Sequence, residues 1–381
     1  MIPKEIAFRR QARGAALAAA FFTSASLLLV PLAGAQPADR PVKPKPGRFA
    51  GGSEATARAL QGNTSGNRAG ASLLGRMIQA ERTLTYSARE ATFGPARSTE
   101  ELVRHDPVRG VRRESIRPGG EVFVDNYSRS WLLSTRAKTL TERSSPGKRT
   151  FGVKGEAIKR LLRQRLQVEI VGEERVAGRL ADIVSVGADG TAADRRPSRR
   201  FWIDRETGLR LRSEDREPGG RILSGAYYLS VDLKPTFAPG DFSRPALPPG
   251  FKSVSETKQT FRSYDEASRS GVTVRRPAYL PKGFRLRSID VTNKSGGSKS
   301  ARRVSQRFDN GLSVLTFVQS SGLAVPKRSL DLLDAKTGRG FISLPRGQRA
   351  YVWRDSNASL TFALLGSVSD DELKQVADSV H

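Results

Sequence analysis

Residues Ser198–Pro235 read SRRFWIDRETGLRLRSEDREPGGRILSGAYYLSVDLKP. The stretch is a folding instruction for three antiparallel strands. Phe201, Trp202 and Ile203 are strand formers. Asp204 opens a turn, because its carboxylate reaches the backbone a few residues on. Gly208 supplies the positive φ that closes the hairpin with a bulge. Leu209 and Leu211 then alternate with Arg210 and Arg212, so one sheet face is apolar. Pro218-Gly219-Gly220 turns the chain again. Tyr227, Leu229, Val231 and Leu233 follow, alternating with Tyr228, Ser230 and Asp232. Nothing in this meander is catalytic.

The N-terminus reads as an export signal over residues 1–35. Lys4, Arg9, Arg10 and Arg13 precede an apolar run, Leu17 to Val30, and Ala33-Gly34-Ala35 fits a cleavage site. That run is too short and too rich in small residues for a membrane span. The sequence contains no cysteine, which excludes a lipid-anchoring cysteine, disulfides and thiolate metal sites. The formal net charge is +27, nearly all of it beyond the leader. Inside a cell such a charge suggests nucleic acid. After export the available polyanions are headgroups and cell-wall polymers, so an anionic membrane or cell-wall surface is a further partner and nucleic acid is not.

Residues 36–69, with PVKPKPGRF near their start, have the Pro/Gly/Ser composition of a flexible tether. Leu73, Leu74, Met77 and Ile78 make the stripe of an amphipathic helix. Leu84, Tyr86 and Ala88 then alternate as a strand. Further strands are expected over Thr99–Arg117, Glu121–Thr141 and Val168–Val186, with a second amphipathic helix over Lys154–Leu166. Residues 237–262 form a Pro-rich connector containing TFAPGDFSRPALPPGF from Thr236 onward. A second domain, 263–381, opens on the capping-box pair Ser263/Glu266 and ends in a helix started by Ser369/Glu372, with Val368 placed to staple onto Leu373. Between them, Asn310-Gly311 carries the signal of a two-residue type I′ hairpin turn.

The meander FWIDRETGLRLRSEDREPGGRI…YYLSVDLKP resembles the closing strands of the LolA/LppX-like fold, which includes the N-terminal domain of MucB/RseB-type regulators. FDNGLSVLTFVQ, a strand ending at Leu365-Gly366, and SDDELKQVADSV are similar to the MucB/RseB C-terminal domain. The resemblance implies an α+β protein. Residues 70–236 would form a LolA-like curved antiparallel half-barrel sheet with helices in its concave side, followed by a smaller α+β domain. It also implies a non-enzymatic binding protein whose partners are the extracytoplasmic domain of an anti-sigma factor or lipoprotein acyl chains. A LolA-type lipoprotein or lipid carrier and a structural binder of anionic envelope polymers are the alternatives.

No cofactor or metal is implied. His105 beside Asp106 has no accompanying nucleophile motif, and the acidic residues lie mostly beside arginines, as surface ion pairs do. The candidate ligand-cleft residues are the large strand positions of the first domain: Tyr86, Val122, Val124, Trp131, Leu133, Trp202, Leu211, Tyr227, Leu229 and Val231. Alternation is satisfied equally by a filled core and by an open cleft. Candidate partner-binding residues are Asp309, Gly311, Leu312 and Phe317, on the hairpin that carries the second resemblance.

Overall fold

The computed structural model describes residues 64–66, 68–94, 98–145, 166–188, 198–216, 220–295, 301–310, 313–321, 334, 337–343, 349–355, 360–366 and 368–381. The leader, most of the tether and the Lys154–Leu166 helix reading lie outside them, except that Leu166 begins a strand.

The first half comprises β1 (Thr64–Gly66), α1 (Arg68–Thr83), β2 (Tyr86–Phe93), β3 (Thr99–Asp106), β4 (Gly110–Ser115), β5 (Glu121–Asp125) and β6 (Arg129–Ser134). It continues with β7 (Thr139–Ser144), β8 (Leu166–Val176), β9 (Arg179–Ala188), β10 (Ser198–Asp204), β11 (Arg210–Arg216) and β12 (Ile222–Asp232). The meander is therefore where its turn chemistry puts it. Asp204 Oδ2 accepts from the Thr207 N–H at 3.0 Å, and Gly208 N donates to the Asp204 carbonyl at 2.8 Å. Gly208 has φ +78, and a Cβ there would meet the Arg76 carbonyl oxygen of α1 at 3.1 Å. The glycine thus serves both the turn and the approach of the helix. Arg76 caps the same turn by donating to the Arg205 carbonyl at 2.8 Å.

Two bulges re-phase the meander. Trp202 pairs with Arg212 but Ile203 with Arg210, leaving Leu211 over. Tyr228 pairs with Glu90 but Ser230 with Arg89, leaving Leu229 over. An extra residue in one strand switches the faces of those beyond it. Hence Tyr227 and Val231 lie on opposite faces, and the expected row Tyr227-Leu229-Val231 does not form.

The second half comprises β13 (Lys252–Phe261), α2 (Tyr264–Arg269), β14 (Arg285–Ser295), β15 (Ala301–Asp309), β16 (Val314–Ser321), β17 (Arg339–Ser343), β18 (Arg349–Asp355), β19 (Leu360–Gly366) and α3 (Asp370–Asp378). The capping box at Ser369 and Glu372 is complete, and Ser263 caps α2. Asp309 pairs with Val314, which is not the register of a two-residue Asn310-Gly311 turn. The Asn310 side chain accepts from Ser313 N at 2.8 Å.

Through hydrogen bonds the first half runs β1-β8-β9-β10-β11-β12-β2-β3-β4-β5-β6-β7, and the second β13-β14-β15-β16-β19-β18-β17. A parallel pairing of β7 with β13, from Thr139↔Lys252 to Arg143↔Glu256, merges them into one 19-stranded sheet. The end of the sequence-read connector is therefore a strand shared by both halves. Its composition explains this: VSETKQTF carries four β-branched or aromatic residues once the prolines end. The molecule is mostly open sheet with few helices. No helix among the described residues is long and apolar enough to cross a membrane.

Candidate functional site

Leu73, Leu74, Met77 and Ile78 of α1 pack on Val168, Val184, Val186, Phe201 and Ile203. Helix α1 thus covers one face of β8–β10, and strand pairing carries that face onward. Ala88 pairs with Val103, Val103 with Arg113, Glu90 with Glu101 and with Tyr228, and Tyr86 with His105. Paired residues share a face. Beside the helix, therefore, the face presents two tyrosines, a histidine and charged groups over an apolar floor of Ala88 and Val103.

These groups engage one another. Tyr228 donates to the Tyr86 hydroxyl at 3.2 Å, and Tyr86 stacks on the His105 ring at 5.1 Å. Arg113 bridges Glu90 and Glu101. Arg210 pairs with Glu81 of α1 at 3.1 Å. His105 Nδ1 donates to the Leu84 carbonyl at 2.8 Å. Burial pushes both phenols up, Tyr228 well above its ordinary value. Burial alone would lower Arg113, but Glu90 and Glu101 outweigh it and hold the guanidinium charged. His105 is pushed below its ordinary value by burial, against the Leu84 hydrogen bond. Yet Arg113 and Arg210 keep 20% and 30% of their side chains accessible. Groups so enclosed and yet accessible at their arginines make this face the candidate cleft. It offers fixed charges, hydroxyls and an apolar floor for binding. His105 spends Nδ1 on a carbonyl and has no nucleophile beside it in the described bonding.

Of the ten cleft candidates, Tyr86 and Val231 lie on this helix side, Val231 through its pairing with Ala88. Val122, Val124, Trp131 and Leu133 face the other way and form a separate cluster with Leu140. Trp202 and Tyr227 are also on the far side, both paired with Arg212. Trp202 is buried there, donating to Glu174 at 2.6 Å beneath the Arg212 guanidinium. Leu211 is buried at its bulge and Leu229 exposed at its own. The structure therefore gathers five of the ten, Tyr86, Trp202, Leu211, Tyr227 and Val231, into one cluster and leaves the other five out of it. Around Tyr86 it also assembles Tyr228, His105, Glu81, Glu90, Glu101, Arg113 and Arg210. One signal for these was present: alternation from Tyr86 and Ala88 leads directly to Glu90. The ion pairs read as superficial are partly internal, with Glu90 and Glu214 both buried.

Among the partner-binding candidates, Phe317 is fully buried, stacked against Trp353 at 5.8 Å and Phe362 at 5.7 Å under α3. Its aromatic character serves the core, and it presents no surface to a partner. Asp309 is half-buried and paired with Arg287 at 2.6 Å. Gly311 and Leu312 lie outside the described residues.

Residues 69–249 match the family described as the MucB/RseB N-terminal domain. The first half of the chain is thus similar to the N-terminal domain of MucB/RseB proteins. The crystal structure of MucB aligns with a TM-score of 0.53 at 16% identity, covering 83% of this chain and 98% of that one. The Pseudomonas aeruginosa MucA/MucB complex gives 0.53 at 17%, over 82% and 98%. MucB in complex with MucA(peri) gives 0.51 at 17%, over 81% and 97%. At these identities the likeness is one of fold. It extends past residue 249 into the second sheet, since residues 69–249 alone are too few for such coverage. No curated protein matches the chain by sequence.

Proposed function

We propose that this MucB/RseB-like chain is an exported binding protein that regulates sigma-factor signalling by holding the extracytoplasmic part of an anti-sigma factor. The observation that carries the reading is the alignment of both sheets with MucB, a protein also solved in complex with MucA. A lipid carrier would need the first sheet alone. The N-terminal unit over 70–236 supplies the helix-side cleft, where a lipid or lipoprotein signal competes with partner binding. Such competition is a population shift, effective only as far as the signal prefers the partner-free protein. The partly wetted arginines of the cleft support a ligand with a polar end and an apolar body. The second unit, over 263–381, supplies the remainder of the partner surface.

The test is capture from envelope extract with the tagged chain, followed by mass spectrometry of proteins and lipids. A membrane protein with a cytoplasmic sigma-binding domain is the expected catch, released by added amphiphile. Recovery of lipoproteins without such a protein would favour a carrier and overturn the regulatory reading.

A further inference from the structure

Between β12 and β13 the chain crosses Lys234–Phe251 without regular structure, but it does not hang free. Phe242 is buried and meets Phe237 edge-on at 5.3 Å. The Arg109 guanidinium lies 5.5 Å from the Phe237 ring centre and 5.2 Å from that of Phe242, and it donates to the Phe237 carbonyl at 3.4 Å. Arg109 sits at the tip of the β3–β4 hairpin. Asp106 fixes it there: Oδ2 accepts from Arg109 Nε at 2.9 Å, and Oδ1 accepts from the Val108 and Arg109 N–H groups at 2.8 Å each. Burial pushes the Asp106 carboxyl up, but these hydrogen bonds outweigh it and leave the group below its ordinary value.

The series continues inward. The Asp106 carbonyl accepts from the Tyr127 hydroxyl at 3.0 Å, and that hydroxyl lies 3.5 Å from His105 Nε2. His105 stacks on Tyr86, which accepts from Tyr228. An unbroken run of short contacts thus leads from the phenol pair of the cleft to the connector. The hairpin tip in its middle is a tight turn closed by the Asp106 side chain. Contiguous networks of this kind are what carries coupling between distant sites. The connector in turn leads into β13, the strand that joins the two sheets.

We propose that Arg109 is a latch that ties the connector to the cleft, so that disturbing the Tyr127–His105 end loosens the segment leading into β13. The coupling is a property of the chain itself and needs no partner, so it stands apart from the binding reading.

Hydrogen exchange with mass spectrometry on the full chain tests it. Arg109→Lys keeps a charge for Asp106 but loses the planar contact with both rings. Tyr127→Phe removes one hydroxyl and does not touch the connector. Each is expected to speed exchange across Lys234–Phe251 by about tenfold, and the double variant by no more than the larger single effect. Arg244→Gln serves as control, because its ion pair with Glu142 holds the same connector outside the series. It is expected to leave exchange at the β3–β4 tip unchanged. Phe242→Leu approaches from the other end, and coupling being reciprocal, it is expected to speed exchange at that tip. Effects of Tyr127→Phe confined to residues 105–127, or no response of the tip to Phe242→Leu, would overturn the latch and leave Arg109 as local packing.

Discussion

Both sheets lay a helix on one face, but they fill that face differently. Under α3 the second sheet is aromatic and dry, with Phe317, Trp353, Phe362 and Leu364 closing on Leu373 and Val376. Beside α1 the first sheet is phenolic and ionic, with Arg113 and Arg210 still in contact with water. Dry aromatic packing stabilises shape and leaves nothing to bind. Charges enclosed but wetted sacrifice packing and leave groups a ligand can reach. The difference separates a half whose packed face is dry and aromatic from a half whose enclosed charges stay accessible.

The comparison breaks first if the aromatic face is not truly packed. Phe317→Ala should cost about 3–5 kcal/mol, the range for deleting a buried aromatic. A urea titration followed by tryptophan fluorescence measures it. A loss under about 1 kcal/mol would mean that the face has room to spare. In the first sheet, Glu90→Gln should cost less, about 1–3 kcal/mol. It strips Arg113 of one carboxylate while Glu101 and some water remain. If the two costs came out in the opposite order, the ionic face would be the better-packed one.

The pH dependence sharpens the contrast. His105 is depressed by burial, so its contribution is fully present above the ordinary histidine value near 6.5 and is lost as pH falls through its lower folded value. Melting temperature should therefore decline with acidification by an amount that His105→Gln removes. A decline that the substitution leaves untouched would place the titrating group elsewhere. On the alkaline side both halves respond. Tyr86 and Tyr228 are raised by burial in the first sheet, and Tyr264 is pushed up to about 12 in the second. Neutral phenols favour the fold, so stability is complete below about pH 10 and falls as pH rises toward the folded values. Tyr228→Phe should flatten the fall. An alkaline slope unchanged by that substitution would show that the cleft phenols ionise freely in the folded state.

Turn and cap chemistry was legible in the sequence because it is local. Asp204 with Gly208, the Ser263 cap, and the Ser369/Glu372 box are all where short-range hydrogen bonding puts them. The resemblance to MucB/RseB proteins was legible too, through motif order along the chain. Facing was not. Alternation assigns sides only while the register is regular, and bulges at Leu211 and Leu229 break it inside the stretch that decides the fold. The far-side position of Val122, Val124, Trp131 and Leu133 depends on a chain of pairings from β2 to β6, which no local window contains. Phe317 looked available to a partner because a hairpin motif says nothing about which side a helix will cover. The strand within the connector was hidden by the prolines just before it.

The smallest expected effect is also the most direct test of that register. By plain alternation with Tyr228 and Ser230, Leu229 would point into the cleft beside Tyr227 and Val231. The bulge instead leaves it unpaired and 38% exposed. Leu229→Glu would bury an unpaired carboxylate in the first arrangement, costing several kcal/mol. In the second, water solvates the new charge, and the change should fall within about 0.5 kcal/mol. Circular dichroism melting distinguishes the two, with Leu211→Glu as the destabilising counterpart, because Leu211 is only 1% exposed at its own bulge. A large drop for Leu229→Glu would mean that β12 pairs with β2 in unbroken register. Tyr228 would then leave the cleft and Tyr227 would enter it. The phenol pair with Tyr86 would be lost, and Glu90, Glu101 and Arg113 alone would keep that part of the face polar.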